Sequence, residues 1–324
     1  MSAALASRAR PRRAPAPSRF AARRRAAADP FTSGVLGARR RVFERYLSSA
    51  VRTSGGSARR LDAAMRYAAL SPGKRLRPLL VLAAAQAVGG EWRRALPAAA
   101  AIECVHAFSL VHDDLPAMDD DDYRRGRLTT HKRFGEALGV LAGDGLLAFA
   151  FEELTRLRAR GVSAAGVVEA VRRLARASGA ARLVGGQALD IAAEGRRVSI
   201  RDVRTIHWHK TGGLMGAALA LGAIAGGAPP QIIAELEDAG RFLGLTFQIQ
   251  DDLLNSRSTL RRLGKRAGTD RARGKATFLK VSSESETRAA VPVFFDLVRA
   301  SIRNHCPRPR PILALIDAVE ARER

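Results

Sequence analysis

The chain has 324 residues, of which 47% are hydrophobic and 5% aromatic, and its formal net charge is +24 at pH 7. This apolar fraction can fill one large core, and no Pro/Ser-rich linker divides the middle, so we expect one domain. The two cysteines, Cys104 and Cys306, have no metal-ligand spacing and do not resemble a disulfide framework. The charge raises nucleic-acid binding as an alternative, but no recognition module accompanies it, and attraction of anionic substrates or membrane surfaces needs fewer assumptions.

The first thirty residues differ in composition from everything that follows. They contain eight arginines and no acidic residue before Asp29. This pattern is typical of an organellar transit peptide, so we expect residues 1–30 to be a disordered presequence and residues 31–324 to form the domain. A plastid is favoured over a mitochondrion as its destination. The alternative is a basic tail without a targeting role, which would leave a cytoplasmic protein.

The rest of the chain predicts an all-α fold of about ten helices. Alanine dominates the apolar residues, and runs of β-branched residues are few, which favours packed helices over sheet. Glycine and proline separate the segments, as at Pro72-Gly73 and Gly226-Gly227. The predicted helices cover residues 34–54, 57–70, 75–89, 92–118, 132–158, 163–179, 182–193, 200–226, 230–255 and 286–304, with a short one near 311–322. No transmembrane segment is expected, because the apolar part of the longest uncharged stretch is shorter than the roughly 20 residues a bilayer requires.

An acidic cluster follows the predicted helix 92–118. Six aspartates stand within ten residues, at Asp113, Asp114, Asp119, Asp120, Asp121 and Asp122. Carboxylates this dense repel one another and need cations, and hard oxygen ligands suit Mg²⁺ better than Zn²⁺. Asp113 and Asp119 are about 120° apart on an ideal helix, so both can serve one metal site only if the helix bends or ends near Pro116.

Basic residues lie on both sides of this cluster in sequence. Arg124 and Arg125 come directly after it, and the segment Gly73–Pro78 lies upstream. His106 shares one helical stripe with Asp113, as expected for the wall of a cavity. Acids for a metal and bases for an anion together indicate a phosphate substrate bridged by metal ions.

A second acidic helix face occurs far downstream. Gln248, Asp251, Asp252 and Asn255 fall at i, i+3, i+4 and i+7 of the predicted helix 230–255, among apolar neighbours. A solvated surface does not explain two such faces in an apolar context. We therefore expect them to oppose each other across a cavity, with Mg²⁺ bridging to a diphosphate.

From about residue 35 to the C-terminus, the chain resembles the trans-prenyl diphosphate synthases of the polyprenyl synthetase group. The segment Asp113–Asp119 is similar to the long form of their first aspartate-rich motif. Further segments follow in the family's order: Gly73–Pro78, Asp122–Gly126, Gly186–Asp190, Lys210–Gly212, Phe247–Asp252 and Gly264-Lys265. The resemblance implies a single-domain isoprenoid-synthase-type bundle around a deep central cavity, and a homodimer.

The resemblance also implies a set of site residues. It identifies Asp113, Asp119 and Asp251 as Mg²⁺ ligands, supported by Asp114 and Asp252. The allylic diphosphate, from dimethylallyl or geranyl substrates, would be held by Arg124, Lys210, Thr211, Gln248 and Lys265. Isopentenyl diphosphate would be held by Gly73, Lys74, Arg77, His106 and Arg125. Asp113, Asp119, Arg124, Lys210 and Asp251 would carry the catalysis.

Two further residues bear on the product and on activity. Phe108 precedes Asp113 by five residues, about 7.5 Å along a helix, where its ring could form the floor for the growing chain. Among members of this family with the long motif, an aromatic residue at this position is typical of farnesyl-forming (C15) enzymes. The resemblance therefore predicts a C15 product, with a geranylgeranyl (C20) product as the alternative. Asn255 stands where the family usually has a third aspartate, which keeps open a non-catalytic regulatory subunit of a prenyl synthase.

Overall fold

The protein is described by a computed structural model that covers residues 30–51, 58–257 and 276–321. In these ranges nearly all regular structure is helical, which confirms the predicted all-α fold. The helices are α1 Gly34–Ala50, α2 Arg59–Ala69, α3 Leu76–Ala87, α4 Leu96–Asp113, α5 Thr130–Phe134, α6 Glu136–Thr155, α7 Ala164–Ser178, α8 Leu183–Ala193, α9 Ile200–His207, α10 Gly213–Gly226, α11 Pro230–Arg257, α12 Phe278–Val281, α13 Glu284–His305 and α14 Arg310–Glu320. The predicted presequence and the segment Gly264-Lys265 lie outside the described residues.

The core is built around α10, α3 and α4, whose residues are almost all buried. Helix α10 packs against α3, α7 and α11, and α4 packs against α6 and α3. Small residues allow the closest of these approaches. A side chain at Gly240 would lie 2.7 Å from the Cα of Gly216, and one at Gly244 would lie 2.6 Å from the Cα of Gly212. The α10–α11 crossing therefore depends on paired glycines.

The stretch Trp92–Asp113 is long and apolar enough to cross a membrane. In the folded chain, however, 78% of its most apolar window is buried inside the protein. Its apolar character therefore follows from its place in the protein core, where it packs on several other helices.

Three of the predicted helices differ from the observed elements. The helix predicted over 92–118 ends at Asp113, because the proline at position 116 disfavours helical backbone in the residue before it. The single helix predicted over 132–158 is wrong: the chain breaks at Gly135, whose φ of +96° is incompatible with a continuous helix. The helix predicted over 200–226 is interrupted by a π-helical turn at Trp208–Gly212.

A two-stranded hairpin connects α4 to α5 and was not predicted as strand. Strand β1, Tyr123–Arg124, pairs antiparallel with β2, Arg127–Leu128. The two residues between them, Arg125 and Gly126, both have positive φ angles, of 53° and 76°. Positive φ at both loop positions is the geometry of a tight two-residue hairpin turn. This turn sets the positions of the two adjacent arginines of the site.

Candidate active site

The first aspartate-rich motif lies where α4 ends. The backbone N–H of Asp119 donates to the carbonyl oxygen of Asp113 at 2.8 Å, so the chain folds back on itself immediately after the helix. The Asp114 carboxylate is buried and accepts a 2.5 Å hydrogen bond from Arg124 Nε. The helix end expected near Pro116 is present, and it brings the backbones of Asp113 and Asp119 together.

An apolar cavity of about 260 Å³ lies between α4 and α8. Its lining residues are Phe108, Ser109, His112, Asp113, Met118, Leu183, Val184, Gln187, Ala188 and Ile191. The Phe108 ring is buried in the wall and meets the His112 ring edge-on, with centroids 5.0 Å apart. A mostly apolar cavity with a few polar groups suits a small ligand that has an apolar tail. Asp113 is the acidic group of this lining, so the polar end of such a ligand would lie near it.

The π-helical turn between α9 and α10 carries Lys210 and Thr211. Lys210 Nζ donates to Asp190 Oδ2 on α8 at 2.6 Å. Thr211 Oγ1 donates to Gln248 Oε1 on α11 at 3.1 Å. One turn therefore joins α8 and α11, the two helices that carry the remaining site residues. Single π turns inside helices frequently occur at functional sites because they redirect side chains.

The second acidic motif, on α11, is held by hydrogen bonds. Asp252 is buried; its Oδ1 accepts from Gln248 Nε2 at 3.3 Å and its Oδ2 accepts from the backbone N–H of Phe278 at 2.9 Å. His207 Nε2 lies 3.4 Å from the same Oδ2. Both carboxylate oxygens of Asp252 thus have protein donors, and its role as a metal ligand stays a prediction.

The predicted isopentenyl diphosphate residues gather around the N-terminus of α3. Arg125 Nη1 donates to the carbonyl oxygen of Pro72 at 2.7 Å. A side chain at Gly73 would lie 2.4 Å from that same nitrogen, so the close approach of Arg125 requires glycine there. Lys74 is exposed, with its ammonium 5.9 Å from the centroid of the Phe31 ring. The hairpin arginine and the segment before α3 therefore form one basic corner of the site.

Arg77 connects this corner to the second acidic motif. Its Nε is buried and has no hydrogen-bond partner in the described part of the chain. Burial lowers the pKa of Arg77, while the charges of Glu103 and Asp251 oppose that shift and the charge of Arg125 adds to it. Asp251 on α11 is thus near enough to act on an arginine of α3. This electrostatic effect is what the predicted site requires, and the assignment of both groups to one site stays a prediction.

His106 lies on α4 among the arginines. Burial lowers its pKa well below the usual value, and the charges of Arg77, Arg125, Arg124 and Arg75 lower it further. The imidazole is therefore neutral near pH 7. In this state it can act as a hydrogen-bonding group toward a ligand, without adding to the positive charge of the site.

The donor set fits Mg²⁺ shared with a substrate better than a closed protein site. Within the described ranges, no three His, Cys, Asp or Glu side chains lie close enough to hold a metal ion. Mg²⁺ is usually held by one or two carboxylates together with waters and substrate phosphates. The acids at the end of α4 and on α11 match that mode of binding. Asp113, Asp119 and Asp251, supported by Asp114 and Asp252, remain the predicted ligands.

The structure also reveals site residues to which the sequence analysis assigned no role. Glu103 and Arg75 form a buried ion pair beside His106, and His207 packs behind Asp252. A charged residue on an apolar helix one turn before His106 was the signal that could have identified Glu103. No sequence signal identifies His207, because its contact with Asp252 depends on the packing of α9 against α11. Lys265 lies outside the described residues, and its role stays a prediction.

Comparison with known proteins agrees with this geometry. Residues 58–294 match the polyprenyl synthetase family. The chain is 46% identical over 273 residues to heterodimeric geranylgeranyl pyrophosphate synthase large subunit 1, chloroplastic, of Arabidopsis thaliana, covering 82% of this chain and 72% of that protein. It is 36% identical over 288 residues to farnesyl diphosphate synthase of Geobacillus stearothermophilus, covering 89% and 97%.

A solved structure gives the same result for the fold. The geranyltransferase from Helicobacter pylori, complexed with magnesium and isoprenyl diphosphate, superposes with a TM-score of 0.75 at 27% identity, covering 89% of this chain and 97% of that one. The family match covers most of the chain, and the relatives are 36% and 46% identical to it in sequence. The similarity therefore extends beyond the fold to the family. The chain belongs to the polyprenyl synthetase family and is a prenyltransferase.

Proposed function

We propose that the protein condenses isopentenyl diphosphate head-to-tail with an allylic diphosphate, dimethylallyl or geranyl, to give farnesyl diphosphate (C15). The observation that carries the proposal is the meeting of three features at one site. These are the folded-back acidic motif at the end of α4, the arginine-rich corner at α3, and the apolar cavity between α4 and α8. Together they suit two diphosphate heads and one growing apolar tail.

The protein's cations bind and orient the two diphosphates. Arg124 and Lys210, with Thr211 and Gln248, would hold the allylic diphosphate, whose carbon–oxygen bond breaks. Arg77, Arg125 and Lys74 would hold the diphosphate of isopentenyl diphosphate, which stays attached. Guanidinium groups suit this task because they offer planar, bidentate donors to phosphate oxygens.

The reaction requires no protein nucleophile. The allylic diphosphate departs with the bonding electrons, and the double bond of isopentenyl diphosphate attacks the allylic cation. A proton is then lost from the new product, and the departing diphosphate can accept it. Mg²⁺, held by Asp113, Asp119 and Asp251, would supply neutralisation of the negative charge that develops on the leaving group. The apolar walls of the cavity would limit the access of water, which quenches such a cation.

The position of Phe108 supports the C15 product over the C20 alternative. The ring lies in the cavity wall one and a half helical turns before Asp113. The relative named geranylgeranyl pyrophosphate synthase is the reason to keep C20 as an outcome of the test.

Replacing Phe108 by alanine tests the chain-length proposal. We expect Phe108→Ala to shift the product from C15 toward C20, because removing the ring deepens the cavity. The matched control is Phe149→Ala, which truncates a buried aromatic on α6 that does not line the cavity. Chromatography of the dephosphorylated products measures the result. An unchanged product profile would remove Phe108 from the chain-length argument.

One assay tests the function itself. The purified protein is incubated with isopentenyl diphosphate, dimethylallyl diphosphate and Mg²⁺, and diphosphate release and product length are measured. We expect diphosphate release and a C15 product. A C20 product would refute the chain length, and no release from the protein alone would refute the proposed reaction. The non-catalytic alternative suggested by Asn255 has no support from the comparisons, which show a prenyltransferase.

We further propose that the protein acts in plastids as a homodimer. The arginine-rich first thirty residues and the chloroplastic relative support the location. Fusing residues 1–30 to a fluorescent protein tests the first proposal, and mitochondrial or cytosolic fluorescence would overturn it.

Val140 and Leu141, which are 42% and 50% exposed on α6, support an apolar contact between copies. Light scattering on the purified protein and on Leu141→Glu tests the second, with a monomeric wild-type mass as the contrary result.

A further inference from the structure

A buried ion pair joins the start of α3 to the middle of α4. Arg75 Nη1 lies 2.5 Å from Glu103 Oε1, and the two side chains are only 4% and 5% exposed. Ion pairs this deeply buried usually contribute little net stability, because desolvation of both charges offsets their attraction. Breaking such a pair on one side is costly, since the remaining charge is left uncompensated. A role in positioning explains the pair better than a role in stability.

The backbone of Arg75 supports a positioning role. Its φ of 55° is left-handed, a conformation that is strained for a non-glycine residue. The side chain holds this turn in place, since Nη2 donates to the carbonyl oxygen of Ser71 at 2.8 Å while Nη1 contacts Glu103. Helix α3 begins at the next residue, Leu76. The turn at Arg75 therefore fixes the direction in which the helix, and with it Arg77, leaves the loop.

The same loop is held from its other side by the hairpin. Arg125 Nη1 donates to the carbonyl oxygen of Pro72 at 2.7 Å. Residues 71–75 are thus fastened at both ends, by Arg75 to α4 and by Arg125 to the hairpin. Within this loop Lys74 is exposed and Arg75 is buried, and Arg77, in the first turn of α3, is half-buried. Three basic residues within four positions therefore differ in exposure: two are accessible to solvent, and Arg75 is not.

Glu103 supplies the counter-charge for the buried Arg75. It lines the same small pocket, of about 40 Å³, as Arg75, His106, Arg124 and Arg125. Its carboxylate raises the pKa of Arg77 and of Arg125, opposing the effect of their burial. Without that carboxylate, the only carboxylate recorded near Arg75 in the described residues would be the partly exposed one of Glu44, whose Oε1 lies 3.7 Å from Arg75 Nε.

We infer that Arg75 and Glu103 are positioning residues for the isopentenyl diphosphate half of the site. Glu103 keeps the Arg75 guanidinium away from the diphosphate, and the pair together sets the turn that presents Lys74 and Arg77. The inference rests on the proposed function, because it assigns this corner to isopentenyl diphosphate. It distinguishes Arg75, which acts through its neighbours, from the arginines that contact substrate.

The test compares the Michaelis constants of the two substrates. Glu103→Gln and Arg75→Gln should each raise KM for isopentenyl diphosphate about tenfold, with less than about a twofold change in KM for the allylic substrate. The double variant should be no worse than either single one, because the two residues act as a unit. Glu103→Asp and Arg75→Lys, which keep the charges, should recover part of the affinity and serve if the glutamine variants fail to fold.

Glu153→Gln is the matched control. Glu153 is a fully buried carboxylate on α6 that accepts a hydrogen bond from Tyr46 and lies 3.3 Å from Arg156. This variant should lower the melting temperature comparably, with both Michaelis constants unchanged. A loss of stability without a selective KM change in the Glu103 and Arg75 variants would make the pair merely structural and overturn the inference.

Two other results would also count against the inference. If Arg75→Gln weakens isopentenyl diphosphate binding while Glu103→Gln does not, Arg75 is a direct ligand. Calorimetric binding of isopentenyl diphosphate to the wild-type protein separates this inference from the proposed function. If the wild type neither binds that substrate nor turns it over, the proposed function fails, and the assignment of the pair fails with it.

Discussion

The two halves of the site that we propose to bind diphosphates hold their polar groups in different ways. Around α3 and the hairpin, the buried Arg75 and the exposed Arg125 stand on turns with positive φ, and Glu103 balances their charge. Around α8, α9 and α11, the groups are linked mostly by hydrogen bonds through a π-helical turn, from Thr211 to Gln248 and on to Asp252. The first half is organised by charge, and the second by helix geometry.

This difference matches the chemistry proposed for each half. Isopentenyl diphosphate keeps its diphosphate throughout, so fixed protein cations are sufficient to hold it. The allylic substrate loses its diphosphate, so its half of the site needs groups that stabilise a charge developing during the reaction. Carboxylates suited to Mg²⁺ accordingly occur at the end of α4 and on α11. In this proposal, retention and departure of the same chemical group require different protein surroundings.

The largest expected effect comes from removing a carboxylate in the half of the site proposed for the allylic substrate, whose diphosphate departs. Asp251→Asn should lower kcat/KM by at least about 10²-fold, the usual scale for losing a group that stabilises transition-state charge. Steady-state diphosphate release measures it. Asp296→Asn, which neutralises a 75% exposed carboxylate on α13, is the matched control and should be without effect. Equal activities of the two variants would refute the role of Asp251.

The π-helical turn provides the next test. A methyl group at Gly186 would lie 2.4 Å from the backbone nitrogen of Lys210, so Gly186→Ala must displace that turn. We expect about a tenfold rise in KM for the allylic substrate and a stability loss of about 1–3 kcal/mol from overpacking. Gly145→Ala is the control, because its methyl group meets only the flexible end of Met65. A rise in both substrates' KM values would show that the two halves are not separable.

A smaller effect is expected from restoring charge on α11. Asn255→Asp should lower the Mg²⁺ concentration needed for half-maximal activity by about two- to fivefold, because charged ligands increase affinity for hard cations. Titration of activity with Mg²⁺ measures the change. An unaltered titration curve would mean that residue 255 lies outside the influence of the metal.

The smallest expected effect is the contribution of His106, in the half of the site proposed for isopentenyl diphosphate, to the pH dependence of stability. The pKa of His106 is lowered in the folded state. Above about pH 6.5 the imidazole is therefore mostly neutral in both the folded and the unfolded chain, and it does not change the free energy of unfolding. As pH falls below that value, the unfolded chain gains a proton that the folded chain does not, at a cost of at most about 1.4 kcal/mol per pH unit. His106→Asn should remove this part of the slope. Urea unfolding at pH 7.5 and 5.5 measures it, and parallel losses in both proteins would contradict the prediction.

Much of the site was predictable from local patterns. The helical stripes identified α4 and α11 as bearers of acids, because side chains three and four residues apart share a face. Proline at position 116 predicted the helix end that returns Asp119 to Asp113, and the order of motifs predicted the family. Each of these inferences uses residues that are close in sequence, so the chemistry of a short segment is sufficient to make it.

Contacts between distant segments were decided only by the tertiary structure. The break at Gly135, the π-helical turn at Trp208–Gly212 and the pairing of Arg75 with Glu103 depend on what packs against them. Helix propensity alone does not decide whether a glycine continues or ends a helix, because tertiary context overrides it. Nor does the local sequence decide whether an arginine faces a ligand or a buried carboxylate. By itself the sequence determined the fold class, the acidic helix faces and the reaction they suit. Only the packing of α3 on α4, and of α8 on the π turn, decided which charged side chains pair with one another, because those contacts join residues far apart in the chain.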